Sequence, residues 1–165
     1  MINCKPHHWY AAYTLPNYEK RVLSLLEKKN FNVYLPLQKV VRQWSDRKKQ
    51  LQVPLFPSYI FINMAEAQRF EICNVSGISR LISQGGKPVI VKEWEIDTIR
   101  LLENERLEVE QEIIEGDDVK IIEGPFAGLK GKIFVKKGRE RFCVRLNSFN
   151  QSLSLELSIA SILKV

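Results

Sequence analysis

Histidine is scarce in this chain, with two in 165 residues, adjacent at His7 and His8. Neither has a cysteine, serine or carboxylate at motif spacing, so the sequence offers no nucleophile–base pair and no set of metal ligands. They are read as solvated surface groups, and a non-catalytic protein without cofactor or metal is expected. Cysteine is equally thin. Cys4, Cys73 and Cys143 lie far apart with no C-x-x-C pair, which suits a reducing cytoplasm and small buried or idle thiols. Long apolar runs and a signal-peptide apolar region are also missing, so a cytoplasmic chain with no membrane partner is expected.

What is present begins with Glu123–Val135, EGPFAGLKGKIFV, which places three glycines in eight residues ahead of a basic residue and an apolar run. A phosphate-binding loop is excluded by spacing. It requires a glycine five residues before Gly131, where Phe126 stands, and a hydroxyl after Lys132, where Ile133 stands. Gly124, Gly128 and Gly131 are therefore expected to serve backbone geometry, as tight turns between short strands.

Charge is unevenly spread. Residues 1–104 carry 15 Lys/Arg against 9 Asp/Glu, whereas residues 105–165 carry 10 of each. The whole excess of +6 lies in the first part, which is where a polyanion is sought.

Periodicity divides the chain further. Trp9–Thr14 reads as an aromatic strand, Pro16 and Asn17 as a break and an N-cap, and Tyr18, Val22, Leu25 and Leu26 as the apolar stripe of a helix. Strands follow at 33–35, 39–44, 50–53 and 59–64, with Ser45-Asp46-Arg47-Lys48-Lys49 as a hairpin tip. Helices are expected over 66–73 and 93–102, with Gln84-Gly85-Gly86-Lys87 as a turn between strands at 78–82 and 88–91. An acidic run from Glu103 to Asp118, opposed only by Arg106, predicts a solvated linker over 104–114 or a frayed charged helix end. Beyond Gly116, five short strands (119–122, 132–135, 141–146, 152–157 and 162–165) predict a small barrel.

These residues carry a resemblance. Gly124-Pro-Phe-x-Gly-x-x-Gly-x-Ile, preceded by Gly116-Asp-x-Val, resembles the KOW motif of NusG-type transcription factors and some ribosomal proteins. Trp9-Tyr10 opening a strand, Glu19 and Arg21 on the first helix, and Leu55-Phe-Pro-Ser-Tyr-Ile-Phe61 resemble the NusG N-terminal domain in order and spacing. Arg42-Gln-Trp-Ser-Asp-Arg-Lys-Lys49, the following Val53–Ile62 segment and Gly85-Gly-Lys-Pro88 are similar to the specialised UpxY-like paralogues, related in function to RfaH, that antiterminate polysaccharide operons. The resemblance runs from Trp9 to Val165. Departures are Ser58, where general NusG proteins usually carry glycine; Leu15 and Pro16, where RfaH has basic residues; and Phe70, Glu71 and Ile72, in place of its His-Thr-Thr element.

The resemblance implies an α+β chain. Residues 1–103 form a NusG-type α/β sandwich, an antiparallel sheet flanked by helices; residues 104–114 form the linker; residues 115–165 form a five-stranded KOW β-barrel. It implies that the first domain docks on the clamp helices of RNA polymerase through Trp9, Tyr13, Phe56, Pro57, Tyr59 and Phe61. Strand alternation agrees that Tyr59 and Phe61 share a face, as do Trp9 and Tyr13, although aromatics on strands also build cores, and both readings stand here. The basic hairpin Arg42, Arg47, Lys48 and Lys49 beside Trp44, together with Lys20 and Arg21, is expected to meet non-template DNA or nascent RNA, the alternative being a solvated tip. Phe149, in a loop of the second domain, stands where NusG presents an aromatic residue to Rho or a ribosomal protein. A monomeric antitermination factor for a polysaccharide operon is expected. Its rivals are a general NusG-type elongation factor and an RNA-binding or ribosome-associated KOW protein.

Overall fold

The computed structural model describes residues 5–157 and 162–165; Cys4 lies outside them. The chain divides into two compact units, Met1–Arg100 and Leu101–Val165.

The first unit is built on a five-stranded sheet. Its strands are β1 (His7–Thr14), β2 (Asn32–Tyr34), β5 (Tyr59–Ala65), β6 (Ile78–Leu81) and β9 (Ile90–Val91). The order is β2-β5-β1-β6, with β9 pairing the start of β1 antiparallel. Alternation gives the sheet two different faces. Tyr10, Ala12, Ile60, Ile62, Met64 and Leu81 point to one, where they pack with Val22 and Leu26 of helix α1 (Glu19–Lys28) and Ile72 of helix α2 (Arg69–Cys73). The other face carries Trp9, Tyr13, Tyr34, Tyr59 and Phe61, since Tyr13 lies opposite Tyr59 and Tyr34 opposite Phe61. A bulge after Tyr13 pairs Thr14 with Ile78, which keeps both apolar sides aligned across β1 and β6.

Helix α1 buries Val22 and Leu26, one turn apart, as an amphipathic helix should. Its start differs from expectation. Asn17 adopts φ 64 in the preceding turn, and Tyr18 holds the cap position without a side-chain bond. Strands β3 (Leu37–Gln43) and β4 (Lys48–Pro54) form a separate two-stranded hairpin, and β7 (Ser83–Gln84) pairs β8 (Lys87–Pro88) across Gly85-Gly86. Helix α3 spans Glu93–Leu102, with the Glu95 carboxylate accepting the Lys92 N–H at 3.0 Å at its start.

The second unit corrects the barrel. Its strands β10 (Glu108–Glu110), β11 (Asp117–Ile121), β12 (Lys130–Lys136), β13 (Arg139–Leu146), β14 (Gln151–Glu156) and β15 (Ile162–Lys164) form one six-stranded sheet, in the order β10-β14-β13-β12-β11-β15. Among the described residues β10 and β15 end the path unpaired with each other, so the sheet is open and not a closed five-stranded barrel. The additional strand is β10, which lies in the acidic stretch and occupies the β14 edge that closure would need. One face is the apolar core, with Val119, Ile121, Phe142, Val144, Leu153 and Leu155 all buried. Gly124 and Gly128 take positive φ in the β11–β12 turn, as expected of them. Gly131 serves a different end. It lies inside β12, where an added Cβ would run into the Cys143 carbonyl oxygen and come within 2.8 Å of the Phe142 ring.

Candidate functional site

The expected docking residues gather into one aromatic layer with a buried end and an open end. Trp9, Phe56 and Phe61 are buried, at 3%, 2% and 0% exposure. Phe56 meets Phe61 edge-on at 6.2 Å and 82°, and Tyr59 at 6.4 Å, geometries that aromatic quadrupoles favour. Tyr13 and Tyr59 are half-buried, with ring centroids 4.8 Å apart, and their hydroxyls share a hydrogen bond at 3.0 Å. Pro57 is exposed at the turn that precedes Tyr59. The layer is therefore core at Trp9, Phe56 and Phe61 and surface at Tyr13, Pro57 and Tyr59.

The turn that aims Tyr59 is held by two bonds. The Tyr59 N–H donates to the Phe56 carbonyl at 3.2 Å, closing Phe56-Pro57-Ser58-Tyr59, and Ser58 takes φ 64. Proline second and a left-handed residue third are what such a turn demands, and glycine would meet the second demand without strain. Glu19, 6% exposed on α1, accepts the Ser58 N–H on Oε1 at 2.8 Å. One helix thus fixes both the core and the turn.

The basic residues sit on the hairpin and α1. Arg42 lies directly opposite Lys49, and Gln43 opposite Lys48. The tip closes with the Trp44 N–H donating to the Arg47 carbonyl at 2.8 Å, and the Lys49 ammonium stands 5.5 Å from the Trp44 ring centroid. Arg42, Trp44, Arg47, Lys48 and Lys49 are all exposed. Like charges facing across a strand pair destabilise a free hairpin, so this arrangement has a cost that a polyanion would offset. Lys20 Nζ donates to the Gln52 carbonyl at 2.7 Å, which ties α1 to β4, and the Arg21 guanidinium lies 5.6 Å from the Tyr18 ring. Phe149 closes a short 3-10 turn, Asn147–Phe149, and is only 3% exposed, so a partner contact there requires the turn to open.

Three features escaped the sequence reading. Arg100 stands over the Trp9 and Tyr34 rings, at 5.4 and 5.1 Å, and Arg80 over the Tyr13 ring at 5.0 Å; both partnerships follow from strand and helix placement and leave no local pattern. In the second unit, the polar face of the sheet carries an ionic network. Lys136 Nζ donates to Glu110 at 2.8 Å and to Glu108 at 2.9 Å, and Ser154 Oγ donates to Glu110 Oε1 at 2.6 Å. Arg141, 5% exposed, donates to Ser154 Oγ and to its carbonyl, both at 3.1 Å. The bond from Lys136 holds the Glu108 carboxyl below its usual value. Burial pushes Glu110 the other way, but its bonds from Lys136 and Ser154 outweigh burial and leave it lowered too. Burial pushes the Cys143 thiol up to about 11 on this polar side of the sheet, where it lies opposite Ser154, whereas Cys73 is exposed. Among the described residues no group of His, Cys, Asp and Glu could hold a metal ion, and no helix is long and apolar enough to cross a membrane.

The family model described as transcription termination factor NusG matches residues 7–100, the span that holds the aromatic layer and the hairpin. The chain is 26% identical over 175 residues to the transcription termination/antitermination protein NusG of Halalkalibacterium halodurans, covering 96% of this chain and 98% of that one. It is 27% identical over 179 residues to the protein of the same name from Thermus thermophilus, covering 94% and 97%. A solved structure concerned with domain interaction in Thermotoga maritima NusG is similar with a TM-score of 0.61 and 25% identity, over 96% of this chain and 97% of that one. The match over more than half the chain, on the residues that build the first unit, shows that the chain belongs to the NusG family of non-catalytic transcription factors.

Proposed function

We propose that the chain binds the clamp helices of RNA polymerase through Tyr13, Pro57 and Tyr59, and follows nucleic acid of the elongation complex with the β3–β4 hairpin. By binding one polymerase conformation better than another it suppresses pausing and termination, with no chemistry of its own. The observation that carries this reading is the open end of the aromatic layer. Two paired tyrosines, half-exposed and backed by buried Phe56 and Phe61, give a rigid apolar contact of the kind that anchors helical partners. The exposed cations of the hairpin supply a separate electrostatic grip.

Two template ranges fit this mechanism. The relatives bear the name transcription termination/antitermination protein NusG, and a chain that acts as a general NusG-type factor would act on many genes. The Arg42–Lys49 block and Ser58 favour the narrower reading, an antiterminator of a polysaccharide operon. Transcription in vitro with the cognate polymerase separates them. Read-through on a polysaccharide-operon leader and an unrelated template alike supports the general factor. Read-through on the leader alone supports the narrower one. No effect on either template defeats the polymerase reading.

A further inference from the structure

The aromatic layer carries two arginines in different circumstances. Arg100 lies over Trp9 and Tyr34 and has the Asp97 carboxylate 3.6 Å away. Arg80 is exposed on β6, directly opposite Tyr13, with its guanidinium 5.0 Å from the Tyr13 ring centroid. No carboxylate among the described residues pairs with it. Glu19, the acid behind the docking turn, is buried and bonded to the Ser58 N–H. The Tyr13 and Tyr59 hydroxyl oxygens lie 3.0 Å apart, so one of their two protons bridges the pair and the other is left to give.

We infer that this end of the layer selects an acidic side chain, an Asp or Glu carboxylate on the helical protein that docks there, with Arg80 as the specificity-determining residue and a hydroxyl of the Tyr13 and Tyr59 pair as a second donor. The inference rests on the docking reading above and adds the charge of the partner's contact residue. A guanidinium lying on a ring keeps its N–H edges free, and a carboxylate can take two parallel bonds from them. Docking a purely apolar ridge here would strip water from an unpaired cation, which is costly. A nucleic-acid backbone fits less well, because its phosphates call for a row of cations. Leu15, two residues after Tyr13, and Pro57, two residues before Tyr59, are instead exposed and apolar.

The test measures binding of the full chain to purified RNA polymerase at low and at high salt. Arg80→Met, which keeps bulk and loses charge, is expected to weaken binding about tenfold at low salt and to flatten its salt dependence; Arg80→Glu is expected to weaken it about a hundredfold. The unfolding temperature should fall only slightly, since Arg80 is exposed and its one ring contact is with Tyr13 among the described residues. Tyr59→Ala separates the two layers of the argument. If it weakens binding while both Arg80 variants bind as wild type, the carboxylate contact is overturned and the docking surface stands. If it too is silent, the docking surface falls and the inference with it. If the Arg80 variants lose as much affinity for single-stranded DNA without polymerase as for polymerase, Arg80 reads phosphate and the inference is overturned.

Discussion

Tyr13 and Tyr59 face each other across β1 and β5, with ring centroids 4.8 Å and hydroxyl oxygens 3.0 Å apart. The pair is at once a sheet contact and the open tip of the aromatic layer, so its two roles can be separated by mutation. Tyr59→Phe removes only the hydroxyl bond and should cost about 0.5–1.5 kcal/mol of stability. Tyr59→Ala removes the anchor and should cost about 2 kcal/mol or more of polymerase binding, roughly a 30-fold loss. Thermal unfolding and a binding titration on the same two variants distinguish these outcomes.

Ser58 holds a left-handed conformation, φ 64, in the turn that aims Tyr59. Glycine adopts this conformation without the Cβ clash, so Ser58→Gly should stabilise the chain by about 1 kcal/mol. The bond from the Ser58 N–H to Glu19 involves only the backbone and survives that change. Glu19→Ala should act in the opposite sense, costing about 1–3 kcal/mol because it leaves a part-buried N–H without its acceptor. Unfolding temperatures that shift in the same direction for both variants would contradict this account of the turn.

The Lys136 network predicts a stability window in pH for the second unit. Glu108 and Glu110 are lowered from 4.5, so the stability they contribute is fully present above about pH 4.5 and is lost as pH falls through their lowered folded values. Lys136 is raised from 10.5 by its bonds to Glu110 and Glu108, so its contribution is present below about pH 10.5 and is lost as pH rises past the raised value. Solvent screens part of this effect, because Glu108 and Lys136 are partly exposed. Lys136→Met should destabilise the unit by about 1–3 kcal/mol at neutral pH and make the acid-side loss shallower. Amide exchange of Leu153 and Ser154, which pair with β10, reads this locally.

The hairpin predicts a salt dependence. Lys48 and Lys49 are exposed, and the Trp44 ring centroid lies 5.5 Å from the Lys49 ammonium. If each neutralises one phosphate, Lys48→Ala and Lys49→Ala should each reduce the log–log salt slope of nucleic-acid binding by about 0.7–0.9. Unfolding temperatures should change little: Lys48 lies opposite the neutral Gln43, and Lys49→Ala trades relief of repulsion with Arg42 against loss of its Trp44 contact. An unchanged slope in the double variant would leave the hairpin as a solvated tip.

The sequence by itself determined the elements whose causes are local. The stripe of Val22 and Leu26 marks α1, the apolar positions of 93–102 mark α3, and the aromatics of Trp9–Thr14 and Tyr59–Met64 mark two strands. It also exposed Gly124 and Gly128 as turn residues, since their positive φ is a property of a few adjacent bonds. What only the tertiary structure decided depends on partners distant in sequence. Glu108-Val109-Glu110 reads locally as a charged, solvated run, yet it is a strand, because Lys136 and Ser154 wait across the sheet to satisfy Glu110. That strand takes the β14 edge and leaves the sheet open. In the same way Trp9, Phe56 and Phe61 share a motif with Tyr13 and Tyr59, but their depth in the layer separates core from surface. Arg80 acquires its place over Tyr13 only through the register of β6 on β1. Periodicity reports which face a residue takes; what covers that face is set by chain returning from tens of residues away, and that decides what a surface can bind.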